Sequence, residues 1–313
     1  MTPALPTRVT LVEVGPRDGL QNIAAVLDVE LKVRFVEALA DAGFAVVEAG
    51  AFVRADAVPQ MADSDQVYRR LQRRPGVRYP ALVPNERGLD TALACGVDEI
   101  AVFTAASETF NQRNIHASIA ESLQRFAPVV RRARDVNVRV RGYVSTCFGC
   151  PYEGAVAPAR VLDVTRALFA LGVQEVSLGD TIGVAVPTQV EQVLDLILAA
   201  VPAAAIALHF HDTRGTAAAN VVQALHQGVH IFDASAGGLG GCPYAPGATG
   251  NVASEDLVYL LHGMGVDTGV DLERLADASL LVEARLGTPL PSRVLRAVVA
   301  ARSRRRAITG SAG

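Results

Sequence analysis

The stretch "PARVLDVTRALFALGVQEVSLGDTIGVAVPTQVEQVLDLILAAVPAAAIALHFHD" (158–212) decides the fold. It reads helix (158–172), strand "QEVSLGD" (174–180), helix (187–201), strand "AIALHFHD" (205–212). Pro187 falls near the first turn of its helix, where a preset φ favours helix initiation. Alternation of this kind predicts parallel strands joined by helical crossovers. The same rhythm runs outward in both directions. Upstream, strands are expected at 9–15, 45–50, 78–84, 99–106 and 138–146, and helices at 30–44, 63–74, 86–96 and 118–136. The helix 30–44 has apolar residues at helical spacing, and Gly43 suits its end. Downstream come a helix at 216–228, a strand at 230–238 and a last helix at 254–265.

Eight strand–helix units are the signature of a (β/α)8 or TIM barrel, an α/β fold. The rival is a doubly wound open sheet. No G-x-G-x-x-G follows the first strand, which weakens that rival. The chain reads as one catalytic domain over 1–313, with the barrel at about 8–265. Residues 266–300 are expected to add helices packed on the barrel, and 301–313, including "RSRRR" (302–306), to be a solvated, frayed tail.

Of 313 residues, 50% are hydrophobic and 19% charged, with a net charge of −3. That composition supports a large core. It gives no reason to expect nucleic acid or an anionic membrane as partner. No apolar run reaches the roughly 20 residues of a spanning helix. The N-terminus "MTPALPTRVT" lacks a signal core, so a soluble cytoplasmic protein is expected. Four scattered cysteines fit a reducing compartment, and "CFGC" (147–150) reads as two ordinary loop thiols.

Barrel active sites lie at the C-terminal ends of the strands. The unusual polar residues of this chain gather there. "EVGPRDGLQN" ends strand one and carries Arg17, Asp18, Gln21 and Asn22. Strand two ends at Glu48, strand five contains Arg141, and strand six ends at Asp180. Strand seven delivers His209 and His211, two apart and therefore on one face. The loop "GGLGGCPYAPGATGN" after strand eight carries Cys242 and Asn251. Each has a bland reading as a cap, an ion pair or a buried thiol; one shared site explains them together. Asp18, His209 and His211 offer a carboxylate and two imidazoles, and Asn251 can add an amide oxygen. Such a set suits Mg²⁺, Mn²⁺ or a related ion, and viewed alone also fits the facial triad of non-haem iron oxygenases. Arg17 can stabilise an oxyanion. Cys242, on a glycine-rich loop, can act as proton donor. Together these groups suit C–C cleavage next to a carbonyl.

The motifs "VEVGPRDGLQN", "RGYVSTCFGCPYEG", "VSLGDTIGV", "HFHDTRG" and "AGGLGGCPYAPGATGNVASEDLVYLLHGMG" resemble the 3-hydroxy-3-methylglutaryl-CoA lyase family over residues 8–290 or so. The resemblance implies a TIM barrel and a Mg²⁺- or Mn²⁺-dependent cleavage of 3-hydroxy-3-methylglutaryl-CoA to acetyl-CoA and acetoacetate. Asp18, His209, His211 and Asn251 would be metal ligands. Arg17 would hold the acetyl-CoA enolate, Cys242 would be the catalytic thiol, and Glu48 and Asp180 would support the site. Asp18 or His209 would be the base. Gln21, Asn114 and Arg141 would lie near substrate. The resemblance also implies an acyl-CoA substrate and a homo-oligomer, dimer or larger. It extends to the wider superfamily that includes Claisen-condensing synthases.

Three places depart from the family pattern. "AGAF" (49–52) replaces Thr-Thr-Ser-Phe, Arg214 replaces a usual Tyr, and Ile23 stands where Glu is common. A pocket short of hydroxyls would take a larger or more apolar C3 substituent, so a branched 3-hydroxy-3-alkylglutaryl-CoA is the alternative substrate.

Overall fold

Short segments rich in Val, Ile and Ala, separated by amphipathic helices, set the order of elements in the computed structural model, which describes residues 5–241 and 250–310. The first half runs β1 (Thr10–Glu13), α1 (Val29–Asp41), β2 (Val46–Val47), β3 (Gly50–Ala51), α2 (Ser64–Arg70), β4 (Ala81–Leu82), α3 (Glu86–Ala94) and β5 (Glu99–Ala105). It continues with α4 (Glu108–Ile115), α5 (Ile119–Asp135), β6 (Arg139–Ser145), α6 (Pro158–Leu171) and β7 (Glu175–Asp180). The second half adds α7 (Pro187–Leu198), β8 (Ile206–Phe210), α8 (Ala217–His226), β9 (Ile231–Ala234), α9 (Ser254–Gly263), α10 (Leu272–Leu286) and α11 (Arg293–Gly310).

All paired strands are parallel, in the order β2-β1-β9-β8-β7-β6-β5-β4-β3. The two ends of that order are one stretch of chain, because only Glu48 and Ala49 separate β2 from β3. Glu48 N–H donates to Glu13 O at 2.9 Å on one side, and Ala49 N–H to Pro80 O at 3.1 Å on the other. The sheet therefore closes into an eight-stranded barrel, with β2 and β3 as two halves of one strand. Helices bury their apolar faces against its outside: Phe35 and Leu39 of α1, Leu89 of α3, Phe126 of α5, Leu168 of α6 and Leu194 of α7 all lie in the core. Each such side chain contributes about 1.5–3 kcal/mol of hydrophobic stabilisation.

Local signals place the helix ends. Ser118 and Glu121 form a reciprocal capping box at the start of α5. Pro158 and Pro187 open α6 and α7, and Gly172 closes α6 at φ 102°.

Four readings from sequence change. The helix expected at 63–74 stops at Arg70, because Leu71 turns extended. Residues 108–115, which carry no helical apolar period, form α4 between a Ser107 cap and a left-handed His116. The strand expected at 78–84 is continuous only over Ala81–Leu82, with a single bridge from Arg78 to Val46 before it. The frayed tail expected from residue 301 is helical as far as Gly310, and Arg302 is held by Glu273 and Asp277 of α10. Both added helices lie on the barrel, α10 against α1 and α11 against α9. Among the described residues no helix is long and apolar enough to cross a membrane.

Candidate active site

Alternation along a strand sends every second side chain into the barrel. Arg139, Arg141 and Tyr143 of β6, Glu175 and Ser177 of β7, and Asp233 of β9 share that interior. The proof is their bonding across strands that are not neighbours: Arg141 of β6 reaches Asp233 of β9 at 2.6 Å. The result is a continuous polar chain along the barrel. Arg78 pairs with Glu99, Glu99 with Arg139, and Arg139 with Glu175. Glu175 accepts from Arg141 at 2.7 Å. Arg141 donates to the Tyr143 hydroxyl at 2.8 Å, and that hydroxyl donates to Glu48 Oε2 at 3.0 Å. Glu48 holds Arg17, through Nε at 2.8 Å and Nη2 at 2.7 Å, and Arg17 Nη1 donates to Asp18 Oδ1 at 2.8 Å.

The chain ends in a cavity of about 520 Å³ at the C-terminal mouth. Arg17, Asp18, His209 and His211 line its polar end, and Val53, Leu82, Phe103, Phe110 and Ile115 form an apolar wall. "GPRDG" puts Arg17 and Asp18 there because Gly15–Gly19 coils into a single π-helical turn directly after β1. A side chain at Gly15 or Gly19 would clash with Glu13 or Leu239, so the turn requires glycine at both places.

Donor atoms of Asp18, His209 and His211 lie within 4.8 Å of one another. Asn251 joins them, donating from Nδ2 to Asp18 Oδ2 at 2.8 Å. The set fits a cation on one further observation. Asn251 Oδ1 and His211 Nδ1 are buried and have no hydrogen-bond partner among the described residues. Orphaned buried acceptors are costly unless something occupies them. Burial opposes ionisation of Asp18, yet Arg17, with smaller pulls from the two histidines and Asn251, carries its carboxyl below the ordinary value. His211 is pushed down to about 3 by burial and by His209, which keeps the ring neutral, the form that ligates a metal. Glu48 is raised by burial, only partly offset by Arg17.

The remaining expected residues divide. Gln21 lines the cavity and donates to Asp18 Oδ1 at 3.2 Å, and Asn114 stands on the rim at the end of α4. Glu48 sits behind Arg17. Arg141 is not brought to the cavity: it is fully buried, and Glu175, Tyr143 and Asp233 engage it. Asp180 is also turned away, its two oxygens accepting from the Val184 and Ala185 amides at 2.9 and 3.0 Å. Cys242 lies outside the described residues.

The three departures from the family pattern also fall off the cavity. Ala49 and Ala51 are buried in the main core, and a Cβ on Gly50 would meet Ser64 Oγ at 2.7 Å. Arg214 donates to the Ile182 and Gly183 carbonyls, and Ile23 packs against the core. None of them lines the wall around His209 and His211. Sequence reasoning missed Tyr143, Ser177 and Asp233. Tyr143 lies two residues beyond Arg141, and Asp233 interrupts the apolar run "HIFDA", so strand alternation was the signal for both.

The HMGL-like family model matches residues 8–282, which take in every one of these elements from Arg17 to Asn251. The chain belongs to the HMGL-like family. A hydroxymethylglutaryl-CoA lyase of Pseudomonas mevalonii is 54% identical over 297 residues, 95% of this chain and 98% of its own. A protein of Pseudomonas aeruginosa named 3-hydroxy-3-isohexenylglutaryl-CoA/hydroxy-methylglutaryl-CoA lyase is 51% identical over 95% of this chain and 99% of its own. The crystal structure of hydroxymethylglutaryl-CoA lyase from Pseudomonas aeruginosa superposes with a TM-score of 0.93 at 51% identity, covering 95% of this chain and 99% of that one. This HMGL-like chain thus shares with these lyases nearly its full length.

Proposed function

We propose that this protein is a divalent-metal-dependent carbon–carbon lyase that cleaves 3-hydroxy-3-methylglutaryl-CoA to acetyl-CoA and acetoacetate. One observation carries the reading: Arg17 meets Asp18, His209 and His211 at one end of a single cavity. Asp18, His209, His211 and Asn251 would hold the ion, with Mg²⁺ or Mn²⁺ suited to their mixed N/O donors. When bound, the ion lowers the pKa of a hydroxyl beside it.

The chain's own groups do the rest. Asp18 or His209, the titratable pair at the polar end, takes the proton of the C3 hydroxyl. The C2–C3 bond breaks, C3 becomes the ketone of acetoacetate, and its bonding electrons pass to C2 as the enolate of acetyl-CoA. Arg17 spends three N–H groups on Glu48 and Asp18, so two remain for that enolate oxygen. Cys242 returns a proton to C2 in this reading. Gln21 and Asn114 position the acyl group. Glu48 fixes the Arg17 fork, and Arg141 and Asp180 support the barrel interior and the loop after β7.

A second reading has one observation in its favour. The apolar wall of Val53, Leu82, Phe103, Phe110 and Ile115 would seat a larger C3 substituent, as in a branched 3-hydroxy-3-alkylglutaryl-CoA. The proposal places the protein in the cytoplasm as a homo-oligomer. The test is acetyl-CoA release from 3-hydroxy-3-methylglutaryl-CoA, with and without EDTA and Mn²⁺. Fast metal-dependent release supports the first reading. No release from a metal-loaded protein that cleaves the branched analogue supports the second.

A further inference from the structure

Asp233 stands at mid-strand in β9, fully buried, between the barrel's central arginine and the candidate metal site. Its Oδ1 accepts from Arg141 Nη2 at 2.6 Å. Its Oδ2 accepts from Ser177 Oγ at 2.8 Å and lies 3.3 Å from His209 Nδ1, an ion-pair contact short of a formed hydrogen bond, and Nδ1 has no other partner among the described residues. The register explains the meeting, since His209 and Asp233 are directly paired across β8 and β9. No other carboxylate among the described residues forms an ion pair with a histidine.

We propose that Asp233 is the positioning residue of the metal site, holding the Nδ1 proton of His209 so that Nε2 is the atom turned to the cation. A neutral imidazole has one donor nitrogen and one acceptor, and the partner of the first decides which nitrogen can ligate. Arg141 holds Oδ1 and Ser177 holds Oδ2, so the carboxylate's orientation is independent of the metal. This gives Arg141 a task the cavity lining does not show: it acts on the site through Asp233. The inference rests on the metal reading above and leaves Asp18, not His209, as the base, since both His209 nitrogens are then engaged; its test does not need substrate.

Mn²⁺ is titrated into metal-free wild type and Asp233→Asn, and free Mn²⁺ is read by electron paramagnetic resonance, with circular dichroism as the check on folding. The variant is expected to raise the Mn²⁺ Kd roughly 10–100-fold. A folded variant with wild-type affinity overturns the inference, as does a wild type that binds no Mn²⁺. Should the variant not fold, histidine ¹⁵N spectra of Mg²⁺-loaded wild type decide, with His209 assigned by its absence in His209→Gln. A proton on Nδ1 supports the inference; a proton on Nε2 overturns it. Weakened Mn²⁺ binding in a protein that leaves 3-hydroxy-3-methylglutaryl-CoA uncut would sink the lyase reading alone. Turnover with unchanged Mn²⁺ affinity would sink the positioning role alone.

Discussion

Arg17 shows how one side chain is committed from two sides. Glu48 takes its Nε and Nη2, Asp18 takes Nη1, and the Tyr143 ring lies 5.2 Å from its guanidinium carbon. A fork held this firmly loses little entropy when it meets a developing charge. Replacing Arg17 with Met removes the donors and leaves Glu48 buried. A buried carboxylate without its partner would ordinarily cost several kcal/mol. Here burial already raises the Glu48 pKa, and Tyr143 still donates to it, so the carboxyl takes a proton and the barrel persists. The expected result is a folded R17M protein whose kcat falls by more than about 100-fold, measured by steady-state kinetics alongside circular dichroism. Near-normal turnover would remove Arg17 from the chemistry. At this scale the sequence was legible where a side chain stands out from its surroundings. Two histidines in an apolar strand and an Arg-Asp pair between glycines announce themselves. Asp233 and Tyr143 did not, because a buried polar residue in a strand acquires meaning only from a partner on a strand far away in sequence. Arg141 and Asp180 were placed by strand number alone. Depth in the barrel, which the sequence does not encode, took Arg141 away from the cavity, and the outward turn of its strand position took Asp180.

The turn Ala236–Gly238, just after β9, is built on two buried glutamates. Glu13 Oε1 accepts from the amides of Gly15 and Ala236, both at 2.8 Å, and its Oε2 accepts from Ser254. Glu255 accepts from the Gly237 amide at 2.8 Å and from Ser279. Between them they fix the turn Ala236–Gly238, where Gly237 and Gly238 adopt φ of 66° and 72°. A residue with a side chain would be strained there. Burial, against these hydrogen bonds, pushes Glu13 up to about 8 and Glu255 up to about 7. The folded state then keeps protons that the unfolded chain has released above about 4.5. Their contribution is fully present below that value and is lost as pH rises through 7 to 8. Between about pH 6 and about pH 9, wild type is expected to lose more thermal stability than Glu255→Gln, by roughly 1.4 kcal/mol. Equal slopes in calorimetry would mean that Glu255 is ionised throughout. Elements of this sort explain what was and was not legible. The long helices announced themselves by period and by caps such as Ser118 with Glu121. The helix α4 did not, because of its eight residues only Phe110 and Asn111 are buried and no apolar stripe exists. The strand β4 is shorter than its apolar run because its flanks make only isolated contacts, Arg78 bridging Val46 and the Val83 N–H donating to Ala101 O.

At the scale of the molecule, closure is what makes the site. The strand split at Glu48 and Ala49 bonds to β1 on one side and to the β4 segment on the other, so the sheet has no free edge. Inside, Arg141 ties β6 to β7 and β9 through Glu175 and Asp233. Outside, the helices bury one continuous apolar core that includes residues of every helix but α4 among the described residues. Two consequences follow for a metal at the mouth. The ligands arrive on rigid strand ends and a π-helical turn, so the site does not depend on the ion for its shape. An ion that binds the folded state alone would add stability by mass action only, about 2.7 kcal/mol at 100 times its Kd. Removing metal with EDTA is therefore expected to abolish acetyl-CoA release while leaving the far-ultraviolet spectrum unchanged and lowering Tm by only a few degrees, as the modest binding term requires. Added Mn²⁺ should restore both. Small zinc domains, by contrast, unfold without their ion. Unfolding on chelation would mean that the ion, not the closed barrel, holds Asp18, His209 and His211 together. Full activity in a protein shown by elemental analysis to be metal-free would mean that Arg17 and its neighbours cleave the C–C bond unaided.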